Sequence, residues 1–374
     1  MARARLSVRQ LVWALIAAAL GAAAIAPAIA AEEAASPTES IASAPAVRAM
    51  PVPRIHAHLT AKDIGVVINT NDDYSVAVGE YYVRQRHLAP SQVLRVKLPA
   101  RAVLEPAEFV ELQRAIDARF GAQVQALALA WVTPYAVQCN SITGALALGF
   151  DAELCRKTCN PSRLSPYFNA ATARPYADLH LRPSMLLAAR SVDDAKALID
   201  RGVAADHSLG LRGEPPATAY FVSTDDAARN VRAPLFPQPM DLPRLGVDVR
   251  VEHAPLRDQQ RVLIYETGLA EVPDLDSIGW VPGALADHLT SFGGQLDRVW
   301  GQMSALAWIS AGATASYGTV SEPCNHLQKF PHPQVLLLQY VQGASAIEAY
   351  WKSVAWPQQG VFIGEPLAAP FARQ

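Results

Sequence analysis

Ile64-Gly65-Val66-Val67-Ile68-Asn69 is a short, almost unbroken apolar run, the pattern of a strand covered on both faces. A polar turn over residues 70–73 follows, and Ser75 stands where it can cap a helix running to about Arg86. Residues 93–98 repeat the strand pattern. From Pro106 to Phe120 the spacing changes to the helical period, with Phe109, Leu112, Ile116 and Phe120 on one face. Residues 126–132 are again a buried strand. Strand, helix, strand, helix, strand predicts an α/β fold: a mostly parallel sheet flanked by helices on both faces.

Past residue 132 the pattern loses its regularity. Residues 138–181 hold three of the four Cys and several Pro, and read as an irregular inserted middle region. Residues 185–189 and 193–206 predict a further strand and helix. Strands are expected at 219–222 and 262–265, on either side of a Pro-rich excursion through Pro234, Pro237, Pro239 and Pro243. Residues 285–290 predict a short strand, 304–311 a helix and 313–317 a strand. Two last helices are expected at 335–342 and 346–354, with Gly343 stopping the first. Gly364-Glu365-Pro366-Leu367 reads as a closing turn. No fixed period repeats, and residues 57–374 are expected to form a single domain.

The beginning of the chain changes the picture. Arg3, Arg5 and Arg9 precede an uncharged, Ala-rich apolar stretch, and Ala28-Ile29-Ala30 follows the helix-breaking Pro27. This is the layout of a cleavable export signal over residues 1–30; the alternative is a retained anchor. Residues 31–56, rich in Ala, Ser and Pro, are expected to be a disordered tether. The protein is therefore placed outside the cytoplasm, periplasmic or extracellular. Loss of residues 1–30 removes three Arg and no acid, so the formal charge of −2 becomes −5. An acidic chain has no broad attraction to phosphate backbones, which argues against nucleic acid as a partner. No second apolar run is long enough to span a membrane once the signal is gone, and an envelope partner of unknown identity is the remaining class.

Four cysteines, Cys139, Cys155, Cys159 and Cys324, are an even number in an exported chain and predict two disulfides, three connectivities being open. Cys155 and Cys159 with His180 are the alternative, a zinc site, which an oxidising compartment disfavours. Neither a metal nor a cofactor is expected.

Ligands of parallel sheets bind at the carboxyl ends of the strands. That rule selects Asn69 and Asp72 after the first strand, Thr133 and Asn140 after the third, and Gly293, Gly294 and Glu322 after later ones, as candidate binding residues along one edge. Asn71-Asp72-Asp73 has cation-binding chemistry, with a capping turn as its plain alternative. Ser291 beside Gly293-Gly294 has the makings of a hydroxyl nucleophile near free backbone N–H groups, with His288 or His326 as base. The same residues also describe a tight structural turn. Glu322-Pro323-Cys324-Asn325-His326 gathers carboxylate, thiol and imidazole within five residues. Tyr350, Trp351 and Trp356 read as packing residues, with a sugar-binding platform as the alternative.

Residues 64–86, Thr290 to Gly294, Ala313-Thr314-Ala315-Ser316-Tyr317-Gly318-Thr319-Val320-Ser321-Glu322-Pro323, Glu348-Ala349-Tyr350-Trp351-Lys352-Ser353 and Gly364-Glu365-Pro366-Leu367 resemble a bacterial exported family of unknown function. The order of the last elements is similar, more distantly, to gingipain- and caspase-like cysteine peptidases. That resemblance implies a caspase-like three-layer sandwich. Its pattern of a His-Gly pair after one strand and a Cys after the next is missing here, and Ser291 falls near the nucleophile position. The resemblance thus implies a fold without its dyad: a binding or structural module of the envelope, or alternatively an extracytoplasmic peptidase-like hydrolase centred on Ser291.

Overall fold

Every residue of the first predicted strand is buried, as the unbroken apolar run requires. The computed structural model describes residues 49–298 and 301–373. The expected export signal and residues 31–48 of the expected tether lie outside the described residues. From residue 49 the tether is laid against the domain. The Met50 amide donates to Gln334 Oε1 at 2.8 Å, and Asn169 Nδ2 donates to the Pro51 carbonyl at 2.8 Å.

The first half of the chain runs β1 (Ile64–Asn69), α1 (Asp73–Gln85), β2 (Val93–Val96), β3 (Val103–Leu104), α2 (Pro106–Arg119) and β4 (Ala126–Leu129). The irregular middle then contributes β5 (Ala136–Val137), β6 (Asn140–Ser141), α3 (Ile142–Leu148), α4 (Ala152–Arg156) and α5 (Pro175–Leu179). After it come β7 (Ser184–Leu186), α6 (Val192–Ala205), β8 (Ala217–Val222), β9 (Met240–Leu242), β10 (Val247–Glu252), β11 (Val262–Thr267) and β12 (Trp280–His288). The chain ends with α7 (Leu306–Ala311), β13 (Ala315–Thr319), α8 (Pro333–Val341), α9 (Ala346–Ser353) and β14 (Gly360–Gly364).

Eleven strands form one sheet in the order β2-β1-β4-β7-β14-β13-β12-β11-β8-β10-β9, and β3, β5 and β6 form a small second one. The fold is α/β with a mostly parallel large sheet, as the alternating pattern predicts. Helices cover both faces. Gly65 faces Phe120 at the end of α2, whereas Ile68, an odd number of residues on, faces Gly79 of α1. A Cβ on Gly79 would sit 2.6 Å from Ile68 Cγ1, so only glycine lets α1 approach β1 this closely. Helices α1 and α6 lie side by side, Tyr81 Oη donating to Asp200 Oδ1 at 2.7 Å.

Local details differ from the sequence reading. Asp72, not Ser75, caps α1, its carboxylate accepting from the Tyr74 amide at 3.0 Å. The Ser75 hydroxyl lies one turn inside and accepts from the Asn69 amide at 2.7 Å, tying helix to strand. The predicted strand at 285–290 is a nine-residue strand that ends at His288. Strands β9 and β10 fall within and beyond the Pro-rich excursion and form the sheet edge. There Asp241 pairs with Arg250 at 2.9 Å, a charged edge that discourages further strand pairing.

The largest difference is β14. Residues 360–364 are wholly buried in the middle of the sheet, antiparallel to β13 from Ala315/Gly364 to Thr319/Gly360. The following Glu365 is no surface turn. Its carboxylate takes Arg86 Nε at 2.9 Å and Nη2 at 2.7 Å, and Asp206 contacts the same guanidinium. A bidentate, buried pair of this kind locks the chain's last strand to the end of α1.

Candidate functional site

The suggested Ser291–His288 pair is not assembled. His288 is the last residue of β12, and its ring is fully enclosed. Nδ1 accepts from Trp308 Nε1 at 2.9 Å, and Nε2 faces the Met303 carbonyl at 3.0 Å. Because the indole can only donate, Nδ1 must be unprotonated and Nε2 must carry the hydrogen. Burial pushes the imidazole down to about 3, so it is neutral at physiological pH. Neither nitrogen remains for Ser291. The serine instead holds the loop by its backbone, its carbonyl accepting from the Glu322 amide at 3.2 Å and Thr319 Oγ1 at 3.1 Å. His326, the other proposed base, directs Nε2 at the Cys159 carbonyl, 2.8 Å away, and sets its ring edge-on to Trp356.

The two glycines after Ser291 serve packing. Gly294 donates its N–H to the Thr319 carbonyl at 2.9 Å, so that donor is unavailable to an oxyanion. A Cβ on Gly294 would stand 2.4 Å from the Gly318 carbonyl oxygen. Backbone presses on backbone here, which explains Gly294 without chemistry. Gly293 receives the Ala305 amide on its carbonyl at 2.7 Å.

The cysteines are joined as Cys139–Cys155 and Cys159–Cys324, and no described cysteine is free. Their sulfurs are therefore unavailable both as nucleophile and as zinc ligands with His180. Two disulfides are compatible with an oxidising location. Among the described residues no group of three His, Cys, Asp or Glu is placed to hold a metal ion, and no helix is long and apolar enough to cross a membrane.

Glu322 is the keystone of the Cys324 loop. One carboxylate oxygen accepts the amides of Cys324 at 3.0 Å and Asn325 at 2.7 Å, and the other meets Lys329 Nζ at 3.2 Å. Lys329 is itself buried and also donates to the Thr158 carbonyl at 2.7 Å. Burial lowers its ammonium below the usual lysine range, and the Glu322 charge opposes that shift. Asn140 and Asn69 are likewise consumed inside. Asn140 exchanges hydrogen bonds with the Asp151 backbone at 2.9 and 3.1 Å. Asn69 does the same with Leu98 at 2.9 and 3.2 Å. Trp351 stacks on Phe362 with ring centres 4.4 Å apart, a packing residue as its sequence context suggests.

Two of the predicted binding residues, Asp72 and Thr133, do meet at an open feature. A cleft of about 830 Å³ is lined by segments that follow five different strands: β1, β4, β7, β11 and β12. It lies at the carboxyl edge, where the parallel-sheet rule places ligands. Pattern reading alone missed Arg190, Glu271 and Asp297, which contribute most of its charge. The same edge rule, applied to every strand end, would have selected the segments that carry them.

The walls of this cleft are pinned. Tyr74 Oη donates to the Leu187 carbonyl at 2.9 Å and accepts from the Ala189 amide at 2.8 Å, which sets the turn carrying Arg190. Tyr135 donates to Asp297 Oδ1 at 2.6 Å, joining the loop after β4 to the loop after β12. Burial first, and that carboxylate second, push the Tyr135 phenol above its ordinary range, so it remains a donor. Arg190 is exposed at the mouth and makes no ion pair among the described residues.

A second buried polar group sits inside the sheet. Glu266 and Asp287 face each other on neighbouring strands β11 and β12, with Arg232 Nη1 3.4 Å from the first and Nη2 2.7 Å from the second. All three side chains are buried, with no opening to the cleft among its lining residues.

No family model matches the chain, and no curated protein or solved structure is significantly similar to it.

Proposed function

We propose that this chain is an exported binding module of the envelope, related to the bacterial exported family it resembles, on a caspase-like scaffold without the dyad. One observation carries the reading. The only imidazole close in sequence to Ser291 spends both nitrogens on Trp308 and Met303, whereas the carboxyl-edge cleft keeps charged side chains at its mouth. A nucleophile requires a base within hydrogen-bonding reach, and among the described residues both candidate imidazoles, His288 and His326, have hydrogen bonds directed elsewhere. A binding site requires a preformed cavity with a few oriented polar groups, and Tyr74 and Tyr135 hold those groups in place. The two disulfides support export, since such bonds persist in oxidising compartments.

The test pairs two assays on the purified protein. A broad hydrolase screen is run on wild type and Ser291→Ala. A thermal-shift screen of polar envelope metabolites is run on wild type, Arg190→Ala and Asp297→Asn. The reading expects no hydrolysis that depends on Ser291, and at least one ligand whose stabilisation disappears in the cleft variants. Turnover abolished by Ser291→Ala would overturn it in favour of the hydrolase.

A further inference from the structure

A second cleft, of about 820 Å³, lies at the other end of α6. That helix has fourteen residues, about 21 Å at 1.5 Å per residue. Its first turn adjoins Arg190 in the carboxyl-edge cleft, and its last leads to His207 in this one. The lining draws on five segments of the chain and brings together Arg54, His56, His58, His207, Arg244 and Arg373. No described Asp or Glu is among the lining residues.

Many of the described arginines, among them Arg86, Arg101, Arg182, Arg232, Arg250 and Arg257, meet a carboxylate, and others, Arg190 among them, do not. What sets this cleft apart is that three of the latter line one cavity whose lining holds no described acid. Among the described residues Arg54, Arg244 and Arg373 have no ion-pair partner, although the chain as a whole carries more acid than base. All three are exposed at this cavity, so the positive field they share is open to dissolved anions.

The cavity is also held open in an ordered way. The wall at Arg54–His58 is fixed to the domain: Gln342 Oε1 accepts the Ile55 amide at 3.3 Å, and Glu348 Oε2 accepts the Leu59 amide at 2.9 Å. His207 Nδ1 is bonded to the Ala372 carbonyl at 2.6 Å; because a carbonyl only accepts, Nδ1 carries the hydrogen of this contact, which ties the two walls together. Gly210, at φ +77°, turns the chain at the floor, a conformation open to glycine. Leu211 is 52% exposed at the same place.

We infer that this cleft is a binding site for a phosphate-type oxyanion, held by the guanidinium groups of Arg54, Arg244 and Arg373. A monocarboxylate would leave two of the three charges uncompensated; a phosphate, at about −1.5 to −2, compensates more of them, a diphosphate nearly all, and both match the planar guanidinium donors. The exposed Leu211 gives an ester substituent an apolar surface. The anion has two sources, a free phosphate or the headgroup of a lipid-like ester, and the chemistry of capture is common to both.

Titration calorimetry of the full chain with sodium pyrophosphate and, separately, with dodecyl phosphate below its micelle concentration tests the site. One-to-one binding is expected, weakening as salt rises. Arg244→Glu and Arg373→Glu are each expected to weaken it at least about tenfold, as loss of a charged hydrogen bond does. Arg114→Glu, an exposed arginine on α2, and Asp297→Asn, in the other cleft, are expected to leave it unchanged. Tighter binding of the dodecyl ester assigns a lipid-like source, and equal binding a free phosphate; either upholds the site. Absence of binding by both probes, or affinity unaltered by the two charge reversals in folded protein, overturns it.

Discussion

The indole of Trp308 donates to Nδ1 of His288 at 2.9 Å, and that contact decides what the imidazole can do. A donor on one nitrogen and a carbonyl on the other hold the ring as a neutral, fully satisfied core group. The residue with the most catalytic look in its sequence context is a structural hydrogen-bond bridge between β12 and α7.

This bridge makes stability depend on pH with a definite sign. The folded protein holds His288 unprotonated down to about pH 3, whereas the unfolded chain takes up a proton near pH 6.5. The unfolded state therefore binds more protons between those values, and stability falls as pH is lowered through that window, by up to about 1.4 kcal/mol per pH unit from this group. In His288→Gln that part of the slope should vanish, while stability at pH 7 drops by about 1–3 kcal/mol from the disturbed bonds. Urea denaturation at pH 4, 5, 6 and 7 measures both.

Glu266 has the opposite sign. Burial holds its carboxyl well above the ordinary carboxylate range, and neither oxygen has a hydrogen-bond partner in the described structure. The folded protein keeps a proton that the unfolded chain releases, so this contribution is present at acid pH and lost as pH rises. Glu266→Gln should be close to neutral at pH 5 and stabilising relative to wild type at pH 8. Arg232→Met, which leaves two buried carboxyl groups without a cation, should cost about 3–5 kcal/mol. Equal denaturation midpoints for wild type and Glu266→Gln at pH 8 would contradict the assignment.

The two disulfides should contribute unequally. Cys159–Cys324 closes a separation of 165 residues and Cys139–Cys155 one of 16. The chain-entropy relation gives roughly 5 and roughly 3 kcal/mol as upper values. The double variant Cys159→Ser/Cys324→Ser should accordingly lower the guanidinium midpoint more than Cys139→Ser/Cys155→Ser, with mass analysis confirming the remaining bond in each.

Gly294 and Gly121 form a matched pair. A methyl on Gly294 meets a carbonyl oxygen at 2.4 Å, whereas one on Gly121 meets nothing within 4 Å. Gly294→Ala should cost about 1–3 kcal/mol or more because backbone cannot rotate aside. Gly121→Ala should be neutral or stabilise by about 0.4–1 kcal/mol through the unfolded chain. Thermal denaturation of the two variants tests the contrast.

Elements with a strong local period were legible in the sequence. The apolar run of β1, the Phe109, Leu112 and Ile116 face of α2, and α6, expected at 193–206, all follow from spacing that acts within a few residues. The α/β class follows from their alternation, and so does the choice of the carboxyl edge. Strand β14 was not legible. Val361-Phe362-Ile363 between two glycines carries too little pattern, and its central place depends on pairing with β13 some forty residues earlier. Chemistry was hidden for the same reason. Composition offered Ser291, His288, Glu322 and four cysteines, but what each does depends on Trp308, Lys329 and disulfide partners up to 165 residues away. The sequence by itself determined the kind of sheet and the edge that carries its loops, because hydrophobic period and capping are local. Only the tertiary structure decided which polar groups are spent in the interior and which stay available in the two clefts, because hydrogen bonds and ion pairs are made between segments the sequence keeps apart.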